Sequence, residues 1–215
     1  MDVDDFWGLI ERSGVEAGRR KARVAWLVDE LSRRPVEEIV DYEVWWTITQ
    51  NRGCTVDLYA AYWFVFLSGS LDGFEYFVSW LVSLGRETFE SVADCPDRLI
   101  EVPQVLHLLE LDKAYASGRK RRPSDPEQMR EESPEFEVLA YVAHHAYERV
   151  TGQGSDGLGE AAEACRVSGA FPLVPAIGGV PRGEDWDFDD EQEVARRLPR
   201  IARHLGLRSS PTPSP

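Results

Sequence analysis

The sequence predicts a mainly α-helical single domain with an aromatic-rich core, a long polar loop, and a C-terminal helix reached through a Gly/Pro-rich connector. Three observations predict it. Apolar residues recur at three- and four-residue spacing through most of the first two-thirds of the chain. Seven Trp, seven Tyr and nine Phe supply large rings to bury. A length of 215 residues, 43% hydrophobic and 29% charged, suffices for one well-filled core.

The elements follow in order. "DDFWGLIER" sets Phe6, Trp7 and Ile10 on one face, with Asp4 or Asp5 as N-cap. "ARVAWLVDELSRRP" repeats Val24, Leu27, Val28 and Leu31 at helical spacing and stops before Pro35. Pro35 then suits the first position of a helix striped by Val36, Ile39, Tyr42 and Trp46 and ended by Gly53. "TVDLYAAYWFVFLSG" is apolar on nearly every side after Asp57, the pattern of a wholly buried helix. Its rings and β-branched residues would also fit a buried strand, but the Ala60–Ala61 pair and the length favour helix. Phe74, Phe77, Val78, Leu81 and Leu84 define the next helix, closed by Gly85. "RETFESVADCPDRL" is a short helix ending near Pro96, and "VPQVLHLLELDKAYA" another with Pro103 in its first turn.

Residues 117–133 hold a basic run, two prolines and almost no apolar residues, and read as an exposed, mobile loop. Ser133 as N-cap and Pro134 as first helical residue open "SPEFEVLAYVAHHAYERVTGQG", with Gly152 past its end. These helices form a core domain over residues 1–152. Residues 153–184 read as the connector, interrupted by a brief helix in "GLGEAAEACRV". Residues 185–207 form a C-terminal helix packing on the core, capped by Asp189 or Asp190, with Pro199 imposing a kink or a late start. "RSSPTPSP", residues 208–215, reads as a disordered tail.

The formal net charge of −14 opposes binding to a phosphate backbone or an anionic membrane, and suits a basic protein partner. Cys54, Cys95 and Cys165 are scattered and odd in number, so neither a disulfide framework nor a thiolate zinc site is implied. The acidic start lacks the pattern of a signal peptide, and the most apolar stretch is too short for a bilayer, so a cytoplasmic location is expected.

Asp72 and Glu75 are the most conspicuous acid pair. Their three-residue spacing has the form of a capping box, with Asp72 accepting from the N–H of residue 75 and Glu75 reaching back. That accounts for both acids without proton transfer, which needs two carboxylates in unlike environments around one substrate. His144 and His145 are sequence neighbours, so they point about 100° apart, and both fall off the apolar stripe. "DWDFDDE" lacks the spacing and central glycine of a calcium loop. The motifs for a P-loop, a dinucleotide fold, a nucleophile elbow and a Glu-x-x-His pair are missing. No catalytic residue, metal ligand or cofactor is therefore assigned.

"DFWGLIE", "VDLYAAYWF…SGSLDGFEYFVSWLVSLGRETFESVADCPDRL", "FEVLAYVAHHAYERVTG" and "WDFDDEQEVARRLPRIARHLG" occur in that order. In this order the chain resembles the domain-of-unknown-function family numbered 4240, an actinobacterial-type family whose members also occur beside WGR-type domains. The family's central D-D-x-F-x-x-F-R pattern falls on Leu71, Asp72, Phe74, Phe77 and Val78, so the first acid and the arginine are replaced by apolar residues. The resemblance implies a fold and carries no mechanism. Two functions are consistent with the sequence. The first is a non-catalytic protein-binding or regulatory module with a basic partner. The second is an enzyme or small-ligand binder with a pocket near Asp57, Asp72, Glu75 and Arg86. A DNA mimic ranks below both, because arginines are mixed through the helices.

Overall fold

The computed structural model describes residues 1–67, 69–167, 171 and 180–207. The described residues are built from helices, without a strand, as the periodicity predicts. They comprise α1 (Val3–Glu16), α2 (Arg20–Ser32), α3 (Val36–Gly53), α4 (Val56–Phe66), α5 (Leu71–Ser83), α6 (Arg86–Asp94), α7 (Pro103–Ala116), α8 (Pro126–Glu131), α9 (Val142–Thr151), α10 (Ser155–Val167), α11 (Glu191–Arg197) and α12 (Pro199–Leu205). Two 3-10 helices, Pro96–Glu101 and Glu137–Tyr141, lead into α7 and α9.

The longest helix, α3, organises the packing. It touches α1, α2, α5, α6, α9 and α10, while α9 also packs along α2. The core is rich in rings. Phe6 lies 5.0 Å from Tyr42, Tyr62 lies 4.8 Å from Phe77, and all four are fully buried. Such tilted pairs add to what burial of their area contributes. Gly53 must be small: a Cβ there would meet Val78 at 2.8 Å and Phe89 at 3.3 Å.

Several local readings are corrected. Asp2, not Asp4 or Asp5, caps α1, and Asp5 closes the capping box. Pro35 precedes α3 as its N-cap. Ser70, not Asp72, caps α5: its hydroxyl accepts from Gly73 N at 3.0 Å. Asp72 sits one residue inside the helix, so the Asp72–Glu75 capping box does not form; the acid only complements the helix dipole. Gly85, at φ 98°, ends α5 and starts α6, a conformation that a Cβ disfavours. Ser133 does not open α9. The chain runs through the 3-10 helix first, and α9 begins at Val142.

The 117–133 stretch contains α8, capped by Asp125. It is fastened by Arg20, whose backbone N–H donates to Glu131 at 2.8 Å and whose guanidinium donates to the carbonyls of Glu131 and Ser133. The connector holds a full helix, α10, which buries Leu158 and Ala162 and packs on α3 and α9. The C-terminal helix is two short ones, because Pro199 cannot donate and restarts the helix after Leu198. Asp190 caps α11. The 208–215 tail and residues 168–170 and 172–179 of the connector lie outside the described residues.

The C-terminal segment contacts the core at several points. Arg182 makes a parallel bridge with Thr55, donating to the Cys54 carbonyl at 2.9 Å and accepting from Val56 at 2.8 Å. Phe188 lies within 6.5 Å of Tyr59, Trp63 and Phe64 on α4. Asp97, on the first 3-10 helix and only 3% exposed, accepts from the backbone of Arg200 and Ile201 in the first turn of α12.

Candidate functional site

The structure does not gather the four candidate residues. Asp57 stands in the first turn of α4, accepts from Trp186 Nε1 at 2.9 Å and pairs with Arg197 at 3.4 Å. Arg197 also pairs with Glu184 and Glu193 and lies over the Trp186 ring, so this cluster latches the C-terminal segment. Arg86 opens α6, pairs with Asp4 at 2.6 Å and Glu90 at 3.0 Å, and its backbone N–H donates to Glu11. It lies beyond the far end of α5 from Asp72 and Glu75, at least about 12 Å away by helical rise. Asp72 is exposed on the first turn of α5. Leu71 and Val78 are seven residues apart on α5, roughly 10 Å of rise. Leu71 is 43% exposed and Val78 is buried, so the two do not stand in for a side-chain pair.

Glu75 alone faces a cleft. This cleft, of about 310 Å³, is bounded by α3, α5, the second 3-10 helix and the start of α9. Its carboxylates are Glu43, Glu75 and Glu137; no Lys or Arg lines it, and its polar complement is Gln50, Asn51, Ser79 and His144. Helical geometry assembles it. Glu43, Thr47 and Gln50 recur at four- and three-residue spacing on α3, and Glu75 and Ser79 at four on α5. Gln50 Nε2 donates to Ser79 Oγ at 2.7 Å, joining the two walls.

His144 Nε2 lies 3.6 Å from Glu43 Oε1. Glu43 raises the imidazole pKa against the opposing effect of burial. Glu43 Oε2 and His144 Nδ1 are buried and have no hydrogen-bond partner. Tyr76 titrates above its ordinary value because desolvation and then the Glu137 carboxylate favour the neutral form. Burial, then Glu75, pushes the Cys54 thiol up, so it stays protonated and is a poor nucleophile.

A second, larger cavity of about 600 Å³ adjoins the cleft and shares Tyr76 and Glu137 with it. Val24, Phe136 and Val138 give it an apolar wall. Of its cations, Arg20 is committed to the 131–136 segment; burial lowers its pKa to about 10. A backbone bond from Phe136 N to the Tyr76 carbonyl, 2.9 Å, fixes the ridge between the two hollows.

His144 and Glu137 were outside the sequence-level candidates. His144 falls off the apolar stripe because it faces Glu43 across the cleft, and no spacing within α9 reports a partner on α3. Among the described residues, no group of three or more His, Cys, Asp or Glu could hold a metal ion. No described helix is long and apolar enough to cross a membrane.

The family model described as "Protein of unknown function (DUF4240)" matches residues 1–149. The chain belongs to that family. No curated protein matches, and no solved structure matches.

Proposed function

We propose that this member of the DUF4240 family is a non-catalytic protein-binding or regulatory module whose partner presents basic residues. One observation carries the reading: the cleft beside α5 has three carboxylates and no lysine or arginine. A cationic side chain entering it meets the carboxylates of Glu75 and Glu137 and the aromatic faces of Tyr76 and Tyr141, and complementary charge directs encounter as well as fit. The acidic whole chain, at −14, extends that attraction beyond the cleft. Burial and Glu75 keep the Cys54 thiol protonated, and Asp57, Asp72 and Arg86 lie away from the cleft, so none of these supplies it with a nucleophile or a proton relay. A cytoplasmic setting fits such a module.

The test is fluorescence anisotropy with a pool of short lysine- and arginine-bearing peptides and a matched aspartate- and glutamate-bearing pool. The basic pool binds, more weakly as salt rises, and the Glu75→Gln/Glu137→Gln double variant loses about tenfold in affinity or more. Equal binding of the two pools, or indifference to the double substitution, refutes the reading.

A further inference from the structure

The second 3-10 helix, Glu137–Tyr141, places two large apolar side chains in the open. Val138 is 48% exposed and Tyr141 44% exposed. Residues three apart on a 3-10 helix eclipse one another, so these two stand in line along one edge. Val138 borders the larger cavity and Tyr141 the acidic cleft. The two hollows share Tyr76 and Glu137 in their walls, and the backbone bond from Phe136 N to the Tyr76 carbonyl runs along the ridge between them. One side of the ridge carries an apolar strip, Val24 and Val138, among charged residues of both signs; the other is anionic, with the exposed Glu75 and Glu137.

We propose that the two hollows form one docking trough for an extended segment of a basic protein partner, which seats an apolar side chain against Val24 and Val138 and a lysine or arginine beside Glu75 and Glu137. This rests on the binding-module reading and specifies its ligand. Charge complementarity selects the cation. The adjoining apolar wall selects a polypeptide over a free amine, because only a chain carries a cation and a branched or aromatic side chain at a set spacing. The carboxylates at the mouth are acceptors in a half-open site, where a guanidinium can be held in a bidentate manner and stacked on Tyr141.

The experiment is selection of a random peptide display library on the intact protein at low salt, followed by anisotropy on synthesised winners. The expected winners carry an arginine or lysine at a fixed spacing from a leucine, isoleucine, valine or phenylalanine. Glu75→Gln weakens them about tenfold, equivalent to about 1.4 kcal/mol, and the loss disappears when the peptide's basic residue is alanine. Val138→Asp gives a similar loss that disappears when the apolar residue is alanine; Val138→Ser repeats the test with a smaller change, and a thermal melt checks the fold of each. Winners that are basic, sensitive to Glu75→Gln and indifferent to both Val138 variants overturn the trough while leaving the acidic-cleft reading standing. Winners indifferent to Glu75→Gln, or none above background, overturn both. A free polyamine that binds as tightly as any winner overturns the assignment to a polypeptide.

Discussion

Asp97→Ala should be among the most damaging single substitutions outside the apolar core. The carboxylate is almost wholly buried and takes the N–H of Arg200 at 2.8 and 2.9 Å and that of Ile201 at 2.9 Å. It also accepts from the Arg200 guanidinium at 3.2 Å, which pairs in addition with Glu101 at 2.9 Å. α12 has no other cap, because its N-cap position is Leu198, with no side-chain acceptor. Asp97 therefore caps a helix about a hundred residues away in sequence. Each hydrogen bond to a charged group contributes about 1.5–3 kcal/mol. Removing the side chain orphans two amides, one in the fully buried Ile201, although water can reach Arg200. The expected cost is about 3–4 kcal/mol, above the roughly 0.5–2 kcal/mol of an ordinary N-cap. Asp97→Asn keeps one acceptor and loses the charge, so about half that cost is expected. Urea titration gives the global figure. Amide hydrogen exchange at Ile201 shows whether α12 opens alone or with the core. A cost below about 1 kcal/mol for Asp97→Ala, with Ile201 still protected, would refute the account.

Other outcomes are as specific. Ser70→Ala should cost about 1 kcal/mol, as for a lost N-cap, and Asp72→Ala only about 0.5 kcal/mol through the helix dipole; equal costs in denaturant titrations would restore Asp72 as the cap. The α4 C-cap Leu67 has φ 52° and is 86% exposed, so Leu67→Gly removes left-handed strain at little loss of burial. Strain relief of about 1–2 kcal/mol set against a glycine entropy cost of about 0.5–1 kcal/mol leaves a gain near 0.5 kcal/mol, and a lower melting temperature would contradict it. Glu43 raises the His144 pKa in the fold, so that pair's contribution is complete below the unfolded value of about 6.5 and is lost as pH rises through the folded value. Urea midpoints should therefore fall as pH rises from about 6, and Glu43→Gln should flatten that part of the profile; an unchanged profile would show that the pair does not couple to folding.

What the sequence discloses about this fold is what repeats locally. The apolar spacing of Phe74, Phe77, Val78 and Leu81 is visible within one helix because the helix itself sets the period, and all four are buried. Gly85 and Gly152 stand at helix ends for a reason intrinsic to their own backbone: both have positive φ. Single-residue caps are harder to read, since polar residues one or two positions apart, such as Ser70 and Asp72 or Asp2 and Asp4, can each offer an oxygen. Ser70 won over Asp72 because α5 starts at Leu71, two residues before the place where the acid pair would have set it. The 3-10 helix before α9 could not be read either. Its residues keep an apolar rhythm close to that of an α-helix, and the link from Phe136 to the Tyr76 carbonyl that anchors the segment is made to another element.

The candidate site shows the same division more sharply. Glu75 was visible as an acid in a conspicuous motif, although for a capping role it does not have. Its actual neighbours in the cleft come from α3, from the second 3-10 helix and from α9. No local pattern connects Glu43 to His144, which are paired across two helices. Their placement off the buried stripe looks, along the chain, the same as ordinary exposure. The physical difference is that an exposed acid and an exposed histidine are hydrated, whereas these two each leave a polar atom buried without a partner. Desolvating such groups costs about 1–3 kcal/mol each unless something compensates. The pair is half-buried, and such a pair adds little net stability to set against that cost. The cleft therefore departs from what packing alone would favour at the place where its acceptors are concentrated.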